Sequence, residues 1–253
     1  MASTSETGHA INVANFEDLI SFCQGFGTAY NPSKASLKIA QLQALLASVK
    51  SSMLTVTNSA VAYNGAVSAR MQAFEDLRKL TPRLVNALLI TDAPPQLIKE
   101  AKATKAKILG YRLNKPAVSA KTTRTAPPQT DPLPPTPQTV STSQVSYDSL
   151  VEHFAKLIAI LGSEPSYTPN ETELKLTSLN ARLTALQQTN TDVINAYTVV
   201  SNARVLRNQA LYDAATGLCA IALQVKTYTK ATFGTSSAQY KQLSRIAFRG
   251  PKL

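Results

Sequence analysis

The side chains able to carry chemistry are sparse and scattered. Histidine occurs only as His9 and His153, and cysteine only as Cys23 and Cys219. A metal site needs several Cys, His, Asp or Glu at short, fixed spacings, and no stretch of the chain offers them. Neither GxxxxGK[ST] nor GxGxxG is present to cradle a phosphate; Gly25-Phe26-Gly27 reads as a helix end. There is no GxSxG elbow, and no Ser/His/Asp set stands out. The 15 acids are spread thinly, which argues against a two-carboxylate hydrolase. The sequence therefore predicts no catalytic residue, no cofactor, no bound metal and no small-molecule substrate: a protein that is not an enzyme.

What remains is charge. Lys and Arg number 26 against 15 Asp and Glu, a net charge of +11. The excess is spread along the chain, so it specifies no partner by itself. The densest basic stretch carries Lys99, Lys102, Lys105, Lys107, Arg112, Lys115, Lys121 and Arg124, with one acid, Glu100. On a helix, Leu97, Ala101, Thr104 and Ile108 share one face and the lysines fan over the other. A solvated face is the ordinary reading; phosphate contact, as in nucleic-acid binding, is the sharper one. Arg245 and Arg249, beside Tyr240 and Phe248, extend that candidate nucleic-acid surface to the C-terminus. Stacking on bases is one use of such aromatics; packing in a bundle is the commoner one.

Both cysteines lie in apolar helical patterns and read as buried thiols. No secretory leader and no spanning segment are expected, which points to the cytoplasm, with export lacking a cleaved signal left open. Ser51–Ala69 holds no charge. A membrane-inserting helix could use such a stretch, but its many Ser, Thr and Asn favour close packing in a bundle.

The elements that must position these groups are helical. Nine glycines in 253 residues are too few for a turn-rich sheet protein. Ile39, Leu42, Leu46, Val49, Met53, Val56, Ala60, Tyr63, Val67, Arg70, Phe74 and Leu77 keep a 3-4 spacing, the signature of one apolar helix stripe. Leu176, Leu179, Leu183, Leu186, Asn190, Val193, Tyr197, Val200, Arg204 and Arg207 do the same. One helix of about 45 residues, roughly 70 Å, is predicted per half; a break near Asn64-Gly65 and Ser201-Asn202 is the alternative. Thr81-Pro82 reads as a cap opening a short separate helix to Ile90, and Thr216-Gly217 as the start of one ending near Thr232, stopped by Gly234. Leading helices are expected at 13–26 and 146–161, and final ones at 95–109 and 238–248.

Seven of the 14 prolines lie from Pro116 to Pro137, which predicts an extended linker. The halves on either side look alike. Tyr30–Asp76 laid over Tyr167–Asp213, a constant offset of 137, gives 14 identities in 47 positions, among them Tyr30/Tyr167, Pro32/Pro169, Leu37/Leu174, Arg70/Arg207 and Asp76/Asp213. At the edges Phe16–Leu19 resembles Tyr147–Leu150, and Gln96-Leu97 resembles Gln239-Tyr240. The expected fold is all-α: a tandem duplication of a long-helix bundle, about four helices per half. Its parts are a tail at 1–12, bundles at 13–113 and 146–253, and a linker at 114–145. Arg70 and Arg207 interrupt the apolar stripes at matching positions. Each either lies at a bundle edge with its head in water, or sets register by pairing with an acid such as Asp76 or Asp213.

The run Leu80–Leu88 (LTPRLVNAL), Ser201–Asn208 (SNARVLRN) and Phe233–Ser244 (FGTSSAQYKQLS) is similar to a family of uncharacterised bacterial proteins, mainly of Bacteroidota. The resemblance covers nearly the whole chain, is densest after Tyr147, and implies a helical fold with no known activity or site residue. These observations favour a structural or protein-interaction protein that self-assembles through its long amphipathic helices, with a homo-oligomer or another protein as partner. Nucleic-acid binding is the alternative, and membrane action a third.

Overall fold

The computed structural model describes residues 4–110 and 146–250; the expected linker, with Arg112, lies outside them. Among the described residues every regular element is helical. They form seven α-helices: α1 (Thr4–Gly25), α2 (Ile39–Leu89), α3 (Pro95–Leu109), α4 (Tyr147–Gly162), α5 (Leu176–Tyr212), α6 (Leu218–Phe233) and α7 (Ala238–Ser244).

The seven-residue beat of the sequence builds the two longest. Leu42, Val49, Val56, Leu77 and Leu84 of α2 are buried, as are Leu179, Leu186, Val193, Val200 and Arg207 of α5. Each series is spaced at multiples of seven, which keeps one seam inward along a helix. Neither helix breaks near Asn64-Gly65 or Ser201-Asn202.

Pro82 corrects the first expectation. It lies inside α2 rather than opening a new helix. A mid-helix proline leaves the carbonyl four residues back, that of Arg78, without its amide partner. Apolar packing holds the segment helical: Leu77, Leu80, Leu84, Val85 and Leu88 all lie in one buried cluster. Thr81, also buried, satisfies its hydroxyl by donating to the Leu77 carbonyl at 2.8 Å. The second half does break where expected. Asp213 Oδ1 accepts from the Ala215 and Thr216 amides and from the Thr216 hydroxyl, and α6 starts after Gly217. Only glycine fits there, because a Cβ on Gly217 would lie 2.4 Å from the Asp213 nitrogen.

The end helices need smaller corrections. The expected tail at 1–12 is helical from Thr4, and His9 and Asn12 are buried. Polar residues at core positions hid this part of the stripe, which runs His9, Asn12, Val13, Phe16, Leu19, Ile20 and Cys23. The last helix stops at Ser244, so Phe248 belongs to a non-helical segment instead. Helix α3 matches its expected span; Gly110 ends it in the left-handed region, φ 76°.

Packing divides the chain into two units, Met1–Gly65 with Ile194–Leu253, and Ala66–Val193. The division by packing therefore does not follow the expected division into bundles at 13–113 and 146–253. In the first unit α1 packs against α6 and α7; in the second α4 packs against α3. Each leading helix meets the trailing helices of the opposite half. The long helices are antiparallel where they meet. In the second unit Asp76 lies 4.0 Å from Arg182, and Arg83 2.6 Å from Glu173.

The segments that lead into the long helices are built alike. Tyr30 donates to the Leu37 carbonyl at 2.8 Å and Tyr167 to the Leu174 carbonyl at 3.0 Å, both buried. Each bond closes a short 3-10 turn, Ala35–Leu37 or Thr172–Leu174. Burial pushes the Tyr167 hydroxyl up to about 12. Further out, α1 and α4 align by burial at an offset of 138 rather than the 131 read from the sequence edges: Phe16/Phe154, Leu19/Leu157, Ile20/Ile158 and Cys23/Leu161 are all buried.

Candidate functional site

The residues singled out by sequence do not form one site. Lys99, Lys102 and Lys107 are exposed on α3 and Lys105 is half-buried. Ala101, Thr104 and Ile108 form the buried face of that helix, as its spacing implies. Among the described residues none of these lysines is in an ion pair. They belong to the second unit, whereas Arg245 and Arg249 belong to the first. His153, on α4, is held below the usual imidazole value by burial first and then by the Lys107 and Lys156 charges, with Glu152 opposing.

Among the described residues neither matched arginine pairs with Asp76 or Asp213, the acids named for them. Arg70 stacks its guanidinium on Tyr147, 4.1 Å from the ring centroid, and Phe74 meets the same ring edge-on at 4.7 Å. Spaced at i and i+4, the two side chains share a helix face and grip the first residue of α4. Arg207 is buried and donates from Nε and Nη2 to Asn208 Oδ1 at 3.2 and 3.0 Å. The expected acids are engaged elsewhere: Asp76 with Gln72, Lys79 and Arg182, and Asp213 with the turn before α6. Those turn hydrogen bonds, Thr216 foremost, hold the Asp213 carboxyl below its ordinary value.

Two features of the first unit stand out. One is an apolar face. Leu54, Val61, Ile194, Tyr197, Val199, Val205 and Leu206 are exposed, Val61 at 66% and Ile194 at 63%. They lie on α2 and α5, joined at Tyr63 and Tyr197, whose rings are 5.9 Å apart. The α2 portion, Ser51–Ala69, has no charge, and α5 has none between Asp192 and Arg204. Scattered exposed apolar residues are ordinary, but Leu54, Val61, Ile194, Tyr197 and Val199 all fall on stretches of two helices that carry no charge.

The other is a polar cluster that sequence reasoning missed. Asn12 is fully buried on α1. Its Nδ2 donates to the Arg249 carbonyl at 2.8 Å and more weakly to the Tyr212 hydroxyl at 3.4 Å and Cys219 Sγ at 3.5 Å, and its Oδ1 accepts from the Arg249 amide at 2.9 Å. Asn15 Nδ2 donates to the Ala247 carbonyl at 2.7 Å. From α6, Lys226 donates to the Ile246 carbonyl, and its ammonium lies 5.4 Å from the Phe248 ring. That ring meets Phe16 of α1 edge-on at 6.5 Å. Burial holds the Lys226 amine below its ordinary value. Asparagines three apart beside the apolar stripe of α1 were the available signal, but their partner lies more than 230 residues away.

Both thiols are free. Burial pushes Cys23 up to about 12 and Cys219 up to about 11, so neither is poised as a nucleophile. Among the described residues no group of three or more His, Cys, Asp or Glu could hold a metal ion, and no helix is long and apolar enough to cross a membrane. No protein-family model, curated protein or solved structure matches the chain.

Proposed function

We propose that the chain is a non-catalytic structural or protein-interaction protein that self-assembles through its long helices. The uncharged apolar face on α2 and α5 of the first unit carries this reading. Chains of net charge +11 repel one another at long range. An interface free of like charge lets two copies meet, and burying such a face removes apolar area from water. A two-fold pairing of the face with itself is the simplest arrangement.

A tandem duplication accounts for the sequence identity at offset 137. It is supported by the matched tyrosine staples and by the buried sets Leu42, Val49, Val56 and Leu179, Leu186, Val193.

The test is mass in solution. Light scattering across a concentration series is expected to show oligomers. V61K together with I194K, both at exposed positions, is expected to shift the mass to that of a monomer with helical content unchanged. A wild-type chain monomeric at the highest attainable concentration would end the reading.

A second reading is favoured by the α3 lysines, which make no ion pair among the described residues: binding of a phosphate polymer. It predicts a mobility shift of nucleic acid that weakens steeply as salt rises. Absence of any shift near about 50 mM salt would reject it.

A further inference from the structure

We infer that α3 and α4 of the second unit together form a binding face for the phosphate backbone of duplex nucleic acid, and that binding there is coupled to protonation of His153. The inference rests on the phosphate reading of the α3 lysines. It adds a second helix, a form of nucleic acid and a dependence on pH.

The two helices pack side by side and run antiparallel. At one end Leu97 and Glu100 of α3 line a shallow cleft with Ser163 and Glu164, just past α4. Toward the other end the Lys107 charge acts on His153 of α4. This arrangement sorts charge. Glu100 and Glu164 gather at the cleft, whereas residues 101–109 of α3 hold Lys102, Lys105 and Lys107 and no acid. Lys156, exposed on α4, adds a cation from the neighbouring helix. Of the α4 acids, Asp148 is taken by Asn190 Nδ2 at 3.0 Å, which leaves Glu152. Among the described residues none of these lysines is in an ion pair. Cations held together by a packed helix pair repel one another, and a bound polyanion relieves that repulsion.

His153 sits within this field. Its Nε2 is buried and has no hydrogen-bond partner among the described residues. The charged groups that face the ring are Lys107 from α3 and Glu152 and Lys156 from α4 itself. Two cations against one acid oppose a further positive charge, and burial opposes it more. A phosphate chain laid over Lys107 and Lys156 cancels the two charges that resist the proton. The ring then takes up a proton more readily in the complex. By linkage, the ligand binds more tightly once His153 is protonated.

The form of nucleic acid follows from the side chains of the face. Helix α3 has no aromatic residue. On α4 Phe154 is fully buried, and the Tyr147 ring is occupied by Arg70 and Phe74. Single strands are held largely by stacking on aromatic side chains. A face of lysines meets phosphates, which position a duplex without reading its sequence.

Fluorescence anisotropy of a labelled DNA duplex of about 20 base pairs tests this with the full chain, at about 50 mM salt. Between pH about 7.5 and about 5.5 the affinity is expected to rise about fivefold or more, as a histidine takes up its proton. H153Q is expected to remove that rise while binding normally at the higher pH. The His153 ring resonances, identified by their loss in H153Q, should titrate at higher pH when duplex is bound. K156Q, at an exposed position, should weaken binding and reduce the salt slope by about one. It should do so more than K230Q, which removes the same charge from α6. An equal rise in wild type and H153Q, or a His153 midpoint unmoved by saturating duplex, would overturn the coupling. Equal losses in K156Q and K230Q would overturn the two-helix face, and tighter binding of a single strand of the same length would overturn the choice of duplex. Binding that survives with any of these results leaves the phosphate reading standing and ends this inference alone. Absence of binding at both pH values ends the two together.

Discussion

Helices α1 and α4 occupy corresponding places in the two units, yet one carries a polar site and the other a plain core. Both bury the same apolar set, Phe16/Phe154, Leu19/Leu157 and Ile20/Ile158. They part company at Asn12 and Leu150. In α4, Leu150 fills a cluster with Phe154, Leu157, Leu84 and Leu88. In α1, Asn12 holds the Arg249 backbone, and Phe248 packs against the apolar cluster of that unit. Two helices with the same buried apolar set are thus completed in one case by leucine and in the other by the backbone that follows α7. The lesson is that one buried position decides whether a helical core is sealed or open to backbone.

Swapping those residues tests the comparison hardest. L150N is expected to cost about 4 kcal/mol or more. Deleting a buried leucine side chain alone costs about 2–5 kcal/mol, and an unsatisfied buried amide adds about 1–3 kcal/mol. Urea unfolding monitored by circular dichroism measures it; a loss below about 1 kcal/mol would mean that the two positions are not alternatives. The converse, N12L, is expected to leave the helices standing and release the tail. Hydrogen exchange at the Arg249 amide should then speed up more than tenfold.

The second contrast lies further along. Asp76 and Asp213 match in sequence, yet α2 continues past the first while the chain turns at the second. G217A is expected to destabilise by about 2 kcal/mol, since the Cβ would overlap backbone and force a shift. P82A is expected to stabilise by about 1–3 kcal/mol, because it restores an amide donor and removes a helix-breaking ring. Thermal melts of the two variants should move in opposite directions. If P82A melts lower, the packing of the proline ring outweighs the missing hydrogen bond.

The tyrosine staples should behave as equals. Y30F and Y167F each remove a buried hydroxyl donor and are expected to cost about 1 kcal/mol, with the double variant additive because the sites are separate. A clear inequality in their chemical denaturation midpoints would show that the two lead-in turns are less alike in energy than in geometry.

The smallest effect is on pH. His153 has its folded-state value below the ordinary one, so the unfolded chain takes up a proton first as pH falls. Its contribution is present in full above about 6.5 and is lost as pH falls through the lowered folded value. H153Q should flatten the pH dependence of stability between about 7 and 5 slightly, and wild type gaining stability over that fall would contradict the assignment.

Much of the helix pattern was legible because it is local. The seven-residue spacing of Leu42, Val49 and Val56, the Pro95 start and Gly110 stop of α3, and the left-handed Gly234 after α6 all act within a turn or two of themselves. Pro82 misled because its local penalty was outweighed by the apolar cluster around Leu77, Leu80, Leu84 and Leu88, which no local rule counts. The Asn12 cluster was not legible, because its two sides lie at opposite ends of the chain.

By itself the sequence determined that the chain is helical, where its seams run and how its two long helices begin. Those are consequences of periodicity and short-range hydrogen bonding. Tertiary structure alone decided that α1 closes against α6 and α7, and that a buried asparagine meets the backbone of Arg249. The physical reason is range: periodicity and capping act within a turn or two, whereas these contacts join residues about 200 or more apart in the chain.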